Sequence, residues 1–197
     1  EKTALAEAEI EYHDHKSTTI LVAFPVVKDP TPAHALADVS VVIWTTTPWT
    51  IPGNRALAYG PEITYVVLRV DDTGEGALLE PGAKVLVAEA LVDAFCKEAH
   101  VTAHHVLYTL PGRALEGAVC AHPLRGAGYD FDVPMLPGEF VTTEAGTGLV
   151  HMAPAHGEDD FRLCRAYDVE VPEVVQDDGT YAPWVPGFAG VHVFKAA

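Results

Sequence analysis

The chain has 197 residues, of which 49% are hydrophobic, and 28 acidic against 12 basic residues give a formal net charge of -16 at pH 7. This length and apolar content suit one globular domain with a buried core, and no apolar run approaches the about eighteen residues of a membrane span. The negative charge would repel a nucleic-acid backbone over the whole surface, so any such contact must draw its attraction from elsewhere.

The amino-terminal stretch and the cysteines bear on where the protein works. The first residues, EKTALAEAEIEYHD, lack the basic and apolar regions of a secretory signal, and they favour a piece excised from a longer chain. Cys96, Cys120 and Cys164 are odd in number and widely spaced, without the CxxC pairs of a zinc site. We therefore expect a reduced, cytoplasmic protein with neither a disulfide framework nor a structural metal.

Short valine-rich runs bounded by Pro, Gly, Asp or Asn recur along the chain and predict a mainly β fold. In chain order, strands are predicted at 17–27, 38–47, 64–70, 84–90, 116–124, 131–141, 148–153 and 191–197. A loop is predicted at 28–38, and surface turns at 71–76 and 176–187. Helices are predicted at 88–99 and 158–167, where apolar residues recur at helical spacing and acidic residues open each segment.

The stretch GTGLVHMAPAHGEDDF, at 146–161, concentrates reactive side chains at a predicted strand-to-helix junction. Acids in a first helical turn face free N–H groups and the positive dipole end, which favour the ionised carboxylate. Asp159 or Asp160 could thus bind a cation such as a substrate ammonium, or could simply cap the helix. His151 and His156 could be ligands, pocket walls or core histidines. A zinc site is the less favoured reading, because the stretch has no HExxH helix and no third partner by spacing.

A second stretch, VVIWTTTPWTIPGN, ends a predicted buried strand with three threonines and a proline. Alternation along the strand would send Thr45 and Thr47 to one face and Thr46 to the other. The threonines are either ordinary strand residues or uncharged hydroxyls that hold a water or an ester oxygen. No GxSxG elbow, P-loop, GxGxxG fingerprint or cysteine-protease signature accompanies them, so covalent catalysis is unsupported.

Together the two stretches resemble the editing domain that is inserted in class I aminoacyl-tRNA synthetases for isoleucine, valine and leucine. WTTTPWTIPGN is similar to the threonine-rich peptide of the isoleucyl members, whereas valyl and leucyl members typically carry an arginine where Thr47 stands. GTGLVHMAPAHGEDDF matches the second family motif over its whole length, and the flanks at 4–26 and 187–197 are similar to the beginning and end of the domain.

The resemblance implies that residues 1–197 form one editing domain, excised from a larger synthetase and folded as a closed β-barrel with a few peripheral helices. It implies hydrolysis of valyl-tRNA(Ile) or valyl-adenylate, with isoleucine excluded by pocket size. The implied partners are the valine moiety, the tRNA CCA end and the remainder of the synthetase chain. Neither a cofactor nor a metal is expected, and ligation activity should be absent, because HIGH-like and KMSKS-like stretches do not occur. The alternative is a non-catalytic barrel module that recognises an aminoacyl-tRNA 3' end.

The same resemblance assigns residue roles. Asp160 would hold the α-ammonium of the substrate, while Trp49 and His151 would line the amino-acid pocket. The residues expected around the scissile ester and the attacking water are Thr45, Thr46 and Thr47. The backbone expected to cradle the terminal adenosine comprises Gly146, Thr147, Gly148, Leu149 and Val150.

Overall fold

A computed structural model describes residues 18–196, and the two ends at 1–17 and 197 lie outside this range. The strands within it are β1 (Ile20–Lys28), β2 (Ser40–Thr45), β3 (Ala56–Tyr59), β4 (Thr64–Thr73), β5 (Lys84–Ala88), β6 (Val101–Pro111), β7 (Val119–Ala121), β8 (Asp132–Pro137) and β9 (Leu149–Met152). The α-helices are α1 (Val92–Glu98) and α2 (Glu158–Ala166). No helix in this described range is both long and apolar enough to cross a membrane.

The nine strands form one curled sheet in the order β6-β4-β5-β2-β1-β7-β8-β3-β9. Its ladders are antiparallel except for the parallel pairs β2 with β5 and β3 with β8. The curl brings the β9 edge against β2. Next to this contact, Ala88 N at the end of β5 donates to Thr147 O, just before β9, at 2.8 Å. The prediction of a mainly β fold with few helices is confirmed, and the sheet curls like a barrel without closing into one.

Strand β2 is covered on both faces, which explains why it appears in the sequence as an unbroken apolar run. Val41 and Ile43 pack into the interior of the curled sheet. Val42 points the other way and packs with Phe95 of α1 in a second cluster. The strand therefore ends at the buried residue Thr45, and the chain reaches the surface at the two residues that follow it.

Two strands were missed, and one predicted strand was wrong. β3 has the sequence ALAY, and alanine is a weak strand former, while most side chains of the edge strand β6 are at least partly exposed, which hides the alternation. At 191–197, the described part forms a 3-10 helix, Val193–Lys195, and only His192 bridges to Thr180. This segment lacks a strand partner long enough to build a ladder.

The remaining boundaries agree in outline with the sequence. Both helices are confirmed within a few residues of their predicted limits, except that a 3-10 turn precedes α1. β4 runs on to Thr73 and takes up part of the predicted turn at 71–76. The loop at 28–38 is anchored, because Leu36 is fully buried and its N–H donates to an Asp29 carboxylate oxygen at 2.9 Å. Ser17 and the family-like flank before it lie outside the described residues.

Replacing Gly148 by alanine is expected to destabilise the chain by about 1–3 kcal/mol more than the same change at Gly146. Both glycines have positive φ, +73° and +76°, so both variants carry the strain of a left-handed alanine. A Cβ at 148 would lie 2.4 Å from the Ala88 Cβ, whereas a Cβ at 146 meets nothing nearer than 3.5 Å. Thermal and urea unfolding of the two variants measure the difference, and equal losses would contradict the close approach of β9 to β5.

Candidate functional site

The site begins where β2 ends. Thr45 is 6% exposed, and its hydroxyl oxygen accepts a hydrogen bond from Thr47 N at 3.1 Å. The Thr45 and Thr47 hydroxyls lie 3.3 Å apart, which places them on one side of the chain, as strand alternation predicts. Thr46 and Thr47 are both exposed. Two hydroxyls of the threonine run are thus presented together, one buried and one open to solvent.

A 3-10 helix, Pro48–Gly53, turns the chain from the threonines toward β3. Thr50 lies in this turn, is 5% exposed, and donates its hydroxyl proton to Thr47 O at 2.8 Å. The Thr50 hydroxyl oxygen also lies 2.8 Å from His151 Nε2. Sequence reasoning missed Thr50, although a polar residue within the apolar WTIPG peptide was a signal that could have found it.

His151 is held at both ring nitrogens. Strand β9 pairs His151 with Leu57 of β3, and the amide nitrogen Nδ2 of Asn54 lies 3.2 Å from His151 Nδ1. Because Asn54 Nδ2 can only donate, Nδ1 accepts and the ring proton sits on Nε2, from which it is donated to Thr50. Asn54, fully buried, was also missed by sequence reasoning.

Burial sets the charge of His151. The side chain is 9% exposed, and desolvation, with smaller contributions from His122 and His156, lowers its pKa from 6.5 to about 4. His151 is therefore neutral at physiological pH. With Asn54 on one nitrogen and Thr50 on the other, the imidazole has a fixed orientation and no free nitrogen to act as a base.

Asp160 lies in the first turn of α2 and points back toward the end of β9. Its carboxylate oxygen Oδ2 accepts from Ala153 N at 2.7 Å. Ala153 is two residues after His151 in the chain, so the hydrogen bond ties the start of α2 to the end of β9. The neighbouring Asp159 is exposed, so only Asp160 faces this junction. The carboxylate also crowds Gly157, where a Cβ would lie 2.7 Å from Asp160 Oδ1.

The expected electrostatics of Asp160 need a correction. A helix start was expected to favour the ionised form, but burial raises the pKa of Asp160 above its ordinary value of 3.8. The hydrogen bond from Ala153 N–H lowers the pKa of Asp160, and the negative charge of Asp159 raises it further. Desolvation outweighs the backbone donors, so an incoming cation would find a carboxylate that is short of partners.

Trp49 and His156 form the rim of the same region. Their rings meet edge to face with centroids 5.1 Å apart. The Trp49 backbone is fixed from behind, because the Tyr181 hydroxyl donates to Trp49 O at 2.6 Å. Trp49 thus keeps its place in the turn independently of any ligand.

The residues predicted to cradle an adenosine lie along the start of β9. The carbonyl of Thr147 accepts from Ala88 N at 2.8 Å, and that of Gly148 accepts from the Tyr65 hydroxyl at 2.7 Å. Leu149 and Val150 are paired with β3. Gly146 lies against Trp44, at the opening of this segment. A cradling role for Gly146–Val150 stays a prediction, and the carbonyls of Thr147 and Gly148 already have partners.

The arrangement combines a hydrogen-bonded chain of neutral groups with one carboxylate, Asp160, that is hydrogen-bonded to Ala153 N just after β9. The neutral chain runs from Thr45 through Thr47 and Thr50 to His151 and Asn54. Such groups can orient a water and an uncharged ester, while Asp160 can bind an ammonium. Across residues 18–196, no three His, Cys, Asp or Glu side chains are grouped in a way that could hold a metal ion.

Comparison with known proteins gives a family and several relatives. The family model described as "Leucyl-tRNA synthetase, editing domain" matches residues 38–184. Isoleucine--tRNA ligase of Gluconobacter oxydans is 78% identical over the whole chain, which covers 20% of that protein. Isoleucine--tRNA ligase of Pelagibacter ubique is 47% identical, again over the whole chain and 21% of the relative. The chain therefore spans about a fifth of the length of these curated relatives.

Solved structures show the same fold at low sequence identity. The crystal structure of GlLeuRS-CP1 has a TM-score of 0.56 at 16% identity, covering 90% of this chain and 76% of that one. The crystal structure of the P.knowlesi cytosolic leucyl-tRNA synthetase editing domain has a TM-score of 0.59 at 13% identity, covering 78% of this chain and 65% of that one.

Proposed function

The chain belongs to the family of leucyl-tRNA synthetase editing domains and is similar along its whole length to isoleucine--tRNA ligases, and on that premise we propose that it deacylates mischarged valyl-tRNA(Ile). Valyl-adenylate is proposed as a second substrate. The observation that carries the proposal is the neutral chain from Thr45 to His151, together with the Asp160 carboxylate that is hydrogen-bonded to Ala153 N, two residues after His151 in β9 and its continuation. In this proposal the carboxylate anchors the substrate ammonium, and the uncharged groups surround the ester carbonyl.

Asp160 is proposed to hold the α-ammonium of the aminoacyl group. Its carboxylate is half-buried, and one oxygen, Oδ2, is already fixed by Ala153 N. An ammonium would lower the raised pKa of Asp160 toward its ordinary value, because an adjacent positive charge favours the ionised acid. The partly desolvated carboxylate therefore binds a cation more strongly than an exposed one would.

The threonine hydroxyls are proposed to place the attacking water. Thr47 is exposed and carries a hydroxyl 3.3 Å from that of Thr45, so a water bound there has two uncharged partners. The water oxygen adds to the ester carbonyl carbon, and one of its protons passes to the terminal ribose oxygen as the bond between that oxygen and the carbonyl carbon breaks. Valine and tRNA with a free ribose hydroxyl leave. A ribose hydroxyl of the tRNA end is proposed to help orient this water. No covalent enzyme intermediate is needed, and orientation supplies the rate.

His151 is proposed to form a wall of the side-chain pocket. A neutral imidazole with both nitrogens in use offers a rigid surface, and Trp49 supplies apolar area nearby. A synthetic site cannot reject valine by one missing methylene alone, so a second site small enough to exclude isoleucine is required. This is the double-sieve principle known from isoleucine enzymes of this group.

The strong negative charge fits a division of labour within a synthetase. A surface with a formal charge of -16 attracts tRNA poorly. We propose that the remainder of the synthetase chain holds the tRNA body and that this domain receives the CCA end. Ligation is proposed to take place outside this chain.

Deacylation of valyl-tRNA(Ile) and isoleucyl-tRNA(Ile) by the synthetase that contains this domain tests the proposal. We expect valine to be released about 100-fold faster than isoleucine, in line with the discrimination that one methylene provides. Binding of both aminoacyl-tRNAs without hydrolysis would support a non-catalytic recognition module instead. A parallel assay with a chelator is the control, because loss of activity there would indicate a metal-dependent reaction.

A further inference from the structure

His122 lies outside the residues used by the proposed reaction, and its ring has a single tautomer. It is 1% exposed. Leu124 N lies 3.1 Å from His122 Nδ1 and can only donate, so Nδ1 is the acceptor. The proton is therefore on Nε2, which donates to Ile51 O at 3.0 Å. His122 thus reaches across the fold to the 3-10 turn of the candidate site.

The carbonyl that His122 binds is the centre of that turn. Ile51 O also accepts from Asn54 N at 3.0 Å. Ile51 follows Thr50 directly, and Asn54 closes the turn. Thr50 and Asn54 are the two residues that form hydrogen bonds with the two ring nitrogens of His151. The hydrogen bond from His122 to the Ile51 carbonyl therefore fixes the turn that carries both hydrogen-bond partners of His151.

The His122 ring is itself firmly held. It stacks on Tyr129 with centroids 4.8 Å apart and planes 12° from parallel, and the Tyr129 hydroxyl donates to Pro186 O at 2.9 Å. Phe131 and Phe24 contact the ring from other directions, at 5.2 Å and 6.2 Å between centroids. Because packing holds the ring on these sides, its Nε2–H stays in one place and fixes the position of the Ile51 carbonyl.

We propose that His122 is a positioning residue for the editing reaction: its Nε2–H fixes the Ile51 carbonyl and, through Thr50 and Asn54, the tautomer and orientation of His151. This inference rests on the proposed function only for its kinetic consequence. Its structural part, the control of the His151 ring by His122, stands on the hydrogen bonds alone.

Three variants separate the hydrogen bond from simple packing. His122→Gln keeps a donor at about the position of Nε2, His122→Asn keeps an acceptor at about the position of Nδ1, and His122→Phe keeps only the aromatic volume. Nitrogen-15 spectra of the histidine rings in the 197-residue chain report the tautomer of His151 directly. We expect a single Nε2–H form in the unmodified chain and in His122→Gln, and a mixture of tautomers in the other two variants.

Deacylation of valyl-tRNA(Ile) by the synthetase that contains this domain supplies the second readout. We expect kcat to fall about 10-fold to 100-fold in His122→Asn and His122→Phe, as for a small misplacement of a pocket group. KM should change by less than about threefold, because Asp160 on α2 anchors the substrate independently of the turn. His122→Gln should retain kcat within about threefold of the unmodified chain.

An unchanged His151 spectrum in His122→Phe, or equal kcat values for the Gln and Asn variants, would overturn the proposal. Absence of deacylation by the synthetase that contains the unmodified domain would instead count against the proposed function, and the tautomer comparison would still decide the role of His122. If His122→Phe fails to fold, the Gln and Asn pair carries the test.

Discussion

Replacing Asp160 by asparagine is expected to lower kcat/KM for deacylation of valyl-tRNA(Ile) by about 100-fold to 1,000-fold. Asparagine has nearly the same shape and keeps an oxygen that can accept from Ala153 N, so the fold of the junction should survive. What is lost is the negative charge opposite the ammonium, and removing one member of a desolvated charge pair costs about 2–5 kcal/mol. Initial-rate assays on the synthetase that contains this domain measure the effect.

The two kinetic constants should respond differently. An ammonium is present in both the bound substrate and the transition state, so a lost anchor should appear mainly as a higher KM. Asp159→Asn is the matched control, because Asp159 lies beside Asp160 in the same helical turn but is exposed. Equal activity losses in the two variants would mean that net charge at the helix start matters and that Asp160 has no specific role.

Lowering the pH from about 6.5 to about 4 is expected to cost the chain several kcal/mol of unfolding free energy through two buried histidines. Burial lowers the pKa of His151 and of His122 from 6.5 to about 4 in the folded chain. Between these values the unfolded chain binds more protons than the folded chain, so acid favours unfolding in this window. Above about 6.5 both states hold neutral histidines, and this contribution to stability is fully present.

Urea unfolding at half-unit pH steps measures this dependence. The double variant His122→Gln/His151→Gln should be less stable at neutral pH but should show a shallower loss between pH 6.5 and 4. His105→Gln is the control, because His105 lies on the exposed edge strand β6 and makes its contact with Asp71 at the surface. A free energy of unfolding that is flat across this window in the unmodified chain would show that the two rings are solvated.

Much of the fold followed from local pattern. Val-rich runs such as 38–47 and 64–70 led directly to strands, because both are buried on at least one face and bounded by turn residues. The helix at 158–167 was equally clear, with three acids opening it. β6 was not predicted, because an edge strand can carry polar residues on both faces and its sequence then shows no alternation of apolar and polar residues. The approach of the β9 edge to β2 is a property of the curled sheet, which no single segment encodes.

The sequence by itself determined the mainly β architecture, the two helices and the two peptides that carry Thr45, Thr47, His151 and Asp160. Their juxtaposition was decided only by the tertiary structure, because Thr50 and Asn54 reach His151 across about a hundred residues of chain. The charge states were decided there too. Desolvation depends on how completely other segments cover a group, so the neutral His151 and the raised pKa of Asp160 arise from packing that local pattern does not reveal.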